Sequence, residues 1–391
     1  GSCNIDVACP EGDAYRDEIR SVARYTINGN GLCTGTLMMD ATASFRPWFL
    51  TAAHCGVTNE GVADSLVVYW NYESPSCGAL GGGSLADNQA GAAFRARRVD
   101  VDMGLVELDA TPDPAFGVHY AGWDRSGAAP TGSVHIHHPN GDEKAITFND
   151  GLLTTGNSCI GSGAVNTHWV IDDYEQGTTE PGSSGSGVWT ETPQPLLIGF
   201  LSGGGASCAD PQLGDCYGKL SVAWSGASAA SRLSDWLGNG LASPPQTVAG
   251  SDPVDFAIAL QPESLALCRG DSAPVEVTVT GSSGFVAPVA LAISGTPAGV
   301  TAGFSDDEVA PPASSVLTLQ AGALAATGNH TLHVEGSSGA LFRSTALALN
   351  VQAAPPSVPA PTAPAAAATA VDLFPQFSWS PVTGASAYRL Q

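Results

Sequence analysis

The texture of this chain limits its fold more than any other feature. Short runs rich in Val, Thr, Leu and Ala alternate with clusters of Gly, Ser, Pro and Asn, and helical periodicity is sparse. Alternating apolar segments between turn-forming clusters mark strands with one buried face. The expected fold class is therefore all-β and mostly antiparallel. A chain of 391 residues exceeds what one hydrophobic core serves, so two or three domains are expected. No apolar run reaches the roughly 18–20 residues that a membrane helix needs.

Nine cysteines occur, eight of them before residue 217, and none forms a CxxC pair. Their wide spacing suits a disulfide framework better than zinc, and no metal or cofactor is expected. Disulfides imply an oxidising compartment, and the absence of an initiator Met or a cationic-then-apolar leader makes Gly1 read as a processed start. A secreted, extracellular chain is expected. The net charge is −23, from 37 acids against 14 bases. With no basic patch, nucleic acid is not an expected partner.

Residues 1–240 hold eight of the nine cysteines and seven of the eight tryptophans, and form one expected domain. Within it Ala227–Leu237 is expected to be helical, with Ala230, Leu233, Trp236 and Leu237 on one face. Residues 241–252 read as a linker. Residues 253–352 carry alternating segments at Val275–Thr280, Val289–Ile293, Val316–Gln320 and Thr345–Val351, the pattern of a β-sandwich of about 100 residues. Residues 353–370 are a low-complexity Pro/Ala spacer. In residues 371–391, Phe377, Trp379 and Tyr388 alternate around Pro381–Gly384, as if a further β-sandwich began there.

Hydrolysis of a peptide bond by a hydroxyl needs a base, a group to orient it and donors for the developing oxyanion. The first domain offers each in the order His, Asp, Ser. The segment WFLTAAHC (Trp48–Cys55) ends an apolar strand in small residues beside His54. A lone histidine is more often structural, and the TAAHC context reverses those odds. In DVDMGLVEL (Asp100–Leu108) a carboxylate enters an apolar strand, which is costly unless it is hydrogen-bonded. Strand phase alone does not separate Asp100 from Asp102. The segment GSSGSG (Gly182–Gly187) has glycines that permit a tight loop exposing Ser184, with the N–H groups of Gly182 and Ser184 as the expected oxyanion hole. It is not the GxSxG elbow of α/β-hydrolases, which needs a strand–helix context.

Eight ordered segments, SCNIDVACPEGD (Ser2–Asp13), CTGTL (Cys33–Leu37), FLTAAHCG (Phe49–Gly56), VVYWNYESPSC (Val67–Cys77), AGWDR (Ala121–Arg125), IHHPNGDEK (Ile136–Lys144), TEPGSSGSG (Thr179–Gly187) and SRLSDWL (Ser231–Leu237), closely resemble bacterial lysyl endopeptidases. The resemblance covers about residues 1–240. It implies a chymotrypsin-like pair of six-stranded β-barrels with the site between them, and His54, Asp102 and Ser184 as the triad; alignment on DMGLVEL selects Asp102. It implies the disulfides Cys3–Cys208, Cys9–Cys77 and Cys33–Cys55. Cys159 and Cys216 are left to pair with each other, and Cys268 is expected to be an unpaired, buried cysteine of the second domain. Where trypsin-like zymogens carry the Asp that a new N-terminus pairs with, this chain has Ser183. Activation by N-terminal insertion is therefore not expected, and the loop should be held by the fold and the disulfides.

Asp215, in GDCYGK, aligns with the acid at the base of the family's specificity pocket, which selects cationic side chains. The implied partners are proteins or peptides with Lys at the cleaved position, with Arg as the broader alternative, and the enzyme is expected to be a monomer. Only Lys144 and Lys219 stand against 12 Arg, which fits a Lys-specific protease and equally a GC-rich genome. The family stacks a histidine and a tryptophan beside its cleft; Ser202 and Ile160 stand there instead, and with Gly203 they are the expected substrate-binding neighbours of Asp215.

His135, His137 and His138 resemble a metal cluster, but only 135 and 137 share a strand face and no acid or cysteine completes a ligand set, so structural roles are expected. Trp70, Trp123, Trp224 and Trp236 are expected in the core. The sequon Asn329–Thr331 is assigned no role. Through DFAIAL and TPAGVTAGFS the second domain resembles bacterial immunoglobulin-like domains, and FSWSPVTGASAYRL (Phe377–Leu390) resembles a fibronectin type III start. An inactive, protease-like adhesin is the alternative from another functional class. A glutamyl endopeptidase fits less well, because that family carries a His where Ser202 stands and lacks a pocket acid.

Overall fold

Burial along the central strands follows from which side chains feed which core. In Trp48–Ala52 every residue is buried. Trp48 and Leu50 join one hydrophobic cluster while Phe49, on the opposite face, joins another. Met103 and Leu105 divide from Val106 and Leu108 in the same way, and Phe200 from Leu201. Such strands have apolar side chains on both faces because each sheet encloses its own core and also packs on a shared one.

The computed structural model describes residues 3–160, 165–191, 193–282, 284–339, 341–353, 359–364, 368–369 and 374–382. The chain is all-β, mostly strand with few helices, and divides into two units, Gly1–Pro253 and Val254–Gln391. In the first, a seven-stranded antiparallel sheet runs in the order Asn88–Ala90, Val67–Tyr69, Val22–Ile27, Gly31–Met38, Trp48–Ala52, Met103–Leu108, Ala92–Arg98. A ten-stranded sheet is built around Ser133–His137, Gly187–Trp189, Leu197–Gly204, Asp215–Lys219 and His168–Ile171 in that order. The shared cluster draws Trp48 and Leu50 from the first sheet and Val134, Ile136, Trp189 and Phe200 from the second. Trp70 and Trp123 are fully buried, Trp224 nearly so, and Trp236 packs on the shared core.

The helix expected over Ala227–Leu237 does not form. Two short turns, Ala229–Ser231 and Ser234–Leu237, are separated by Arg232 in extended backbone. A reciprocal Ser228–Ser231 capping box closes the first turn, so its hydrogen bonds are satisfied locally and do not propagate.

The second unit contains a four-stranded sheet (Asp255–Gln261, Ser272–Ser282, Ala313–Ala321, Val300–Phe304) and a five-stranded one (Ser264–Cys268, Leu341–Gln352, Gly328–Ser338, Val289–Ser294, Glu308–Val309). Burial alternates strictly along Ala313–Ala321, as it must where one face is solvated. The two sheets enclose one cluster that includes Val277, Leu317, Val334 and Leu347. Cys268 is unpaired and half-buried rather than fully buried. Of the Pro/Ala spacer, Pro361–Ala363 pairs as a short strand with Ser378–Trp379. Residues 354–358, 365–367, 370–373 and 383–391, with Tyr388 and most of the fibronectin-like segment, lie outside the described residues. No helix among the described residues is long and apolar enough to cross a membrane.

Leu347 is fully buried in the second unit's core. Leu347→Ala is expected to destabilise that unit by about 2–5 kcal/mol, whereas Ala348→Ser on the exposed face should change it by less than about 0.5 kcal/mol; denaturant unfolding followed on the full chain measures both.

Candidate active site

His54 stands where Trp48–Ala52 runs into a single turn, Ala53–Cys55. The antiparallel register pairs Ala52 with Met103, which sets residue 102 beside this turn. The carbonyl of Asp102 accepts the Ala53 N–H at 2.8 Å and holds Asp102 at a φ of 59°. That left-handed conformation costs a non-glycine residue roughly 1–3 kcal/mol. It turns the carboxylate onto His54: Oδ1 accepts the backbone N–H at 2.8 Å and Oδ2 lies 2.7 Å from Nδ1. A carboxylate only accepts, so Nδ1 carries the ring proton and Nε2 presents a lone pair. Asp102 is 3% exposed. Asp100 instead faces Arg98, with carboxylate–guanidinium distances of 2.7 and 2.8 Å, and this pairing holds its carboxyl below the usual range. Of the two candidates, only Asp102 meets His54.

Ser184 lies in the loop ahead of the strand Gly187–Trp189. Gly185 has a φ of +83°, and a Cβ there would collide with Thr51 Oγ1 and the Thr34 carbonyl, so the loop can press against the other sheet only with glycine in place. The Ser184 carbonyl accepts the Thr34 N–H at 2.9 Å and lies 3.8 Å from Cys55 Sγ, next in sequence to His54. The link between Ser184 and His54 runs through Thr34 and the Cys33–Cys55 bridge; no hydrogen bond joins the two side chains among the described residues. The N–H groups of Ser183, Gly185 and Ser186 donate to Glu180, Leu201 and Ser183. Those of Gly182 and Ser184 meet no acceptor among the described residues.

A directed chain of protons fixes the residue before Ser184. The Glu180 N–H donates to Ser183 Oγ at 3.2 Å, which lies 2.7 Å from His137 Nδ1. His137 Nε2 lies 3.0 Å from Thr147 Oγ1, and that hydroxyl donates to the Thr178 carbonyl at 3.3 Å. With the threonine proton committed, Nε2 donates and Nδ1 accepts from Ser183. Burial pushes His137 down to about 3, so it stays neutral. His135 and His138 are also fully buried, and burial lowers both well below the usual histidine range.

The strand Leu197–Gly204 runs from this loop to Asp215, with Gly203 opposite Cys216 and Gly204 opposite Asp215. Asp215 is 3% exposed and, among the described residues, meets only neutral donors: Tyr174 Oη at 2.9 Å and Thr179 Oγ1 on Oδ2, and the Ala206 N–H at 3.4 Å on Oδ1. Burial raises its pKa. Ser202 sits at the bulge in this pairing and is buried, its hydroxyl 3.1 Å from His168 Nε2. Half-buried Ile160 lies beside Gly203. Cys159 and Cys216 are bonded, as are Cys3–Cys208 and Cys9–Cys77. Two groupings of potential metal ligands among the described residues are already engaged: Cys3 and Cys208 are bridged beside Glu180, and Asp17 and Asp252 pair with Arg20, Asp252 also with His119.

Residues 1–218, more than half of the chain, match the family model of the lysyl endopeptidase C-terminal domain. The chain belongs to the lysyl endopeptidase family. A lysyl endopeptidase of Pseudomonas aeruginosa (strain PAO1) is 32% identical over 245 residues, 58% of this chain and 50% of that protein, so the chain spans half the length of this relative. Among solved structures, the Vibrio cholerae VesB protease is 13% identical with a TM-score of 0.35, over 87% of this chain and 97% of that one. Domains 4 and 5 of the S-layer protein SbsC match 27% of this chain and 58% of theirs, at 15% identity and a TM-score of 0.21.

In this family member several residues around the site escape the sequence reading. His137, His168, Tyr174 and Thr179 each touch a partner 34–46 residues away. His137 and Thr179 lie in the segments IHHPNGDEK and TEPGSSGSG, but no local motif marks the partner that any of the four meets; the one signal is a polar residue inside an apolar strand or beside a glycine loop.

Asp102→Asn is expected to slow labelling of Ser184 by a fluorophosphonate by on the order of 10³–10⁴-fold. Asp100→Asn, which breaks only a surface ion pair, should leave the rate within about two-fold. Equal effects would refute the assignment of Asp102.

Proposed function

We propose that this chain is a secreted serine endopeptidase that hydrolyses peptide bonds on the C-terminal side of basic residues, Lys in preference to Arg. The observation that carries the reading is the His54–Asp102 contact at 2.7 Å, set beside a loop in which the Gly182 and Ser184 N–H groups meet no acceptor among the described residues. In the proposed reaction Ser184 Oγ attacks the scissile carbonyl as His54 Nε2 takes its proton, and Asp102 stabilises the imidazolium. The carbonyl oxygen becomes an oxyanion held by the Gly182 and Ser184 N–H groups. His54 then protonates the leaving amine, and water, deprotonated by the same imidazole, releases the acid from the acyl-enzyme. Catalytic hydrogen bonds often tighten only when substrate is bound, which accommodates an unbonded Ser184 hydroxyl in the free enzyme.

Asp215 supplies the specificity. A buried carboxylate with neutral donors alone favours a cationic side chain, and a neutral one would leave its charge uncompensated. Lys144 and Lys219 are buried, at 0% and 6% exposure, which withholds the chain's own lysines from such a cleft. Four disulfides support an oxidising, extracellular setting.

Digestion of a denatured protein, with the cleaved bonds mapped by mass spectrometry, is expected to give cuts mainly after Lys that vanish with Ser184→Ala; cuts after residues that are not basic would sink the proposal. A pH series adds a second check. Because burial raises the Asp215 pKa, the carboxylate takes up a proton above the ordinary aspartate range as pH falls, and KM for a Lys substrate should rise there. A neutral ester substrate should show no such rise.

A further inference from the structure

The two oxygens of Asp215 are not equivalent. Oδ2 accepts from both Tyr174 Oη, at 2.9 Å, and Thr179 Oγ1. Tyr174 Oη also lies 2.9 Å from Tyr217 Oη, and since its one proton goes to the carboxylate, Tyr217 must be the donor in that contact. All three side chains are buried, at 4%, 3% and 0% exposure. A carboxylate oxygen offers about two lone-pair sites, so Oδ2 is full. Among the described residues Oδ1 holds only the Ala206 N–H, long at 3.4 Å. A Cβ at position 204 would fall onto this oxygen, so the strand lies against Oδ1 only with glycine there.

A guanidinium binds a carboxylate best as a fork, two parallel N–H donors on two oxygens, whereas an ammonium is a compact charge that needs one. We propose that Tyr174 and Thr179 set the choice between the two bases: by filling Oδ2 they leave Asp215 a single free oxygen, enough for a lysine ammonium and too few for an arginine fork. The inference rests on the proposed cleavage after basic residues and names the residues that divide Lys from Arg within it. An arginine entering this pocket must either displace a hydroxyl, leaving a buried donor unpaired, or bind through one nitrogen and forgo the fork.

The test is a competition in one tube between two peptides that differ only in Lys or Arg at the cleaved bond. The ratio of their kcat/KM values does not depend on how much of a variant is folded. The wild-type chain is expected to favour Lys. Thr179→Val and Tyr174→Phe should each move the ratio toward Arg by about ten-fold or more. Tyr217→Phe, which leaves the Tyr174 proton on Asp215, should keep the ratio within about two-fold. A ratio unmoved in both Thr179→Val and Tyr174→Phe overturns the inference. So does a wild-type chain that cuts equally after both bases, a result that stands even if neither variant folds and that leaves the endopeptidase reading intact. Cleavage after neither base brings down the function proposed above, and this inference with it.

Discussion

Thr34 is the residue on which the rest of the site depends. It belongs to the seven-stranded sheet, yet it holds the loop of the other sheet at two points: its N–H donates to the Ser184 carbonyl at 2.9 Å and its hydroxyl to the Gly182 carbonyl at 2.9 Å. The same hydroxyl accepts the His138 N–H at 3.2 Å, and the Thr34 carbonyl accepts the Thr51 hydroxyl at 2.9 Å, three residues before His54. Two sheets that pack only through apolar surface can slide by fractions of an ångström. Hydrogen bonds in the buried, low-dielectric seam fix that freedom, because breaking one there leaves a polar group without water to replace it. The disulfide at Cys33, next to Thr34, clamps the same point to Cys55.

Around this clasp the buried polar groups form chains with a defined direction. The sequence from the Glu180 N–H through Ser183, His137 and Thr147 to the Thr178 carbonyl passes one proton along each link and starts and ends on backbone. A neutral imidazole suits such a chain because it both donates and accepts; an ammonium or a carboxylate would do only one. This accounts for a histidine at full burial with no acid beside it among the described residues. It also explains how the loop keeps its shape with Ser183 at the place where a buried ion pair would otherwise be needed. Glu180, whose carboxylate accepts the Cys208 N–H at 2.7 Å, ties the same loop to the N-terminal segment through Cys3.

Local signals in the sequence marked the histidine turn, the serine loop and the β-sandwich, because small residues before His54, glycines around Ser184 and alternating apolar residues after Pro253 each carry their own conformational demand. Asp102 could not be separated from Asp100 by strand phase, because the deciding fact is a left-handed backbone at 102 fixed by a bond from Ala53. The helix expected at Ala227–Leu237 had the right apolar spacing, but Ser228 and Ser231 satisfy each other's backbone and end the turn early. Ser202 reads as a cleft residue by position, yet the bulge between Leu201 and Gly203 turns its hydroxyl toward His168, which sits beyond the reach of any local motif. What the sequence withheld is set by tertiary partners, and the residues concerned are polar groups that look ordinary until their neighbours are known.

Asp215 is a buried acid held by neutral groups alone among the described residues. Among the described residues three neutral donors reach it, one of them at 3.4 Å, and no cation does. As a structural residue it would be a poor choice: an amide could take the same hydroxyls without an uncompensated charge, and burial already pushes the carboxyl toward its neutral form. Under the proposed function the deficit acquires a purpose. The same low dielectric that makes the lone carboxylate costly strengthens its attraction for a cation that enters and displaces water. Stability withheld from the free fold is thereby returned as affinity when the side chain of a basic residue fills the pocket. The hydroxyls on Oδ2 keep part of the charge solvated in the meantime, which lets the carboxylate persist at the depth where discrimination between substrates is strongest.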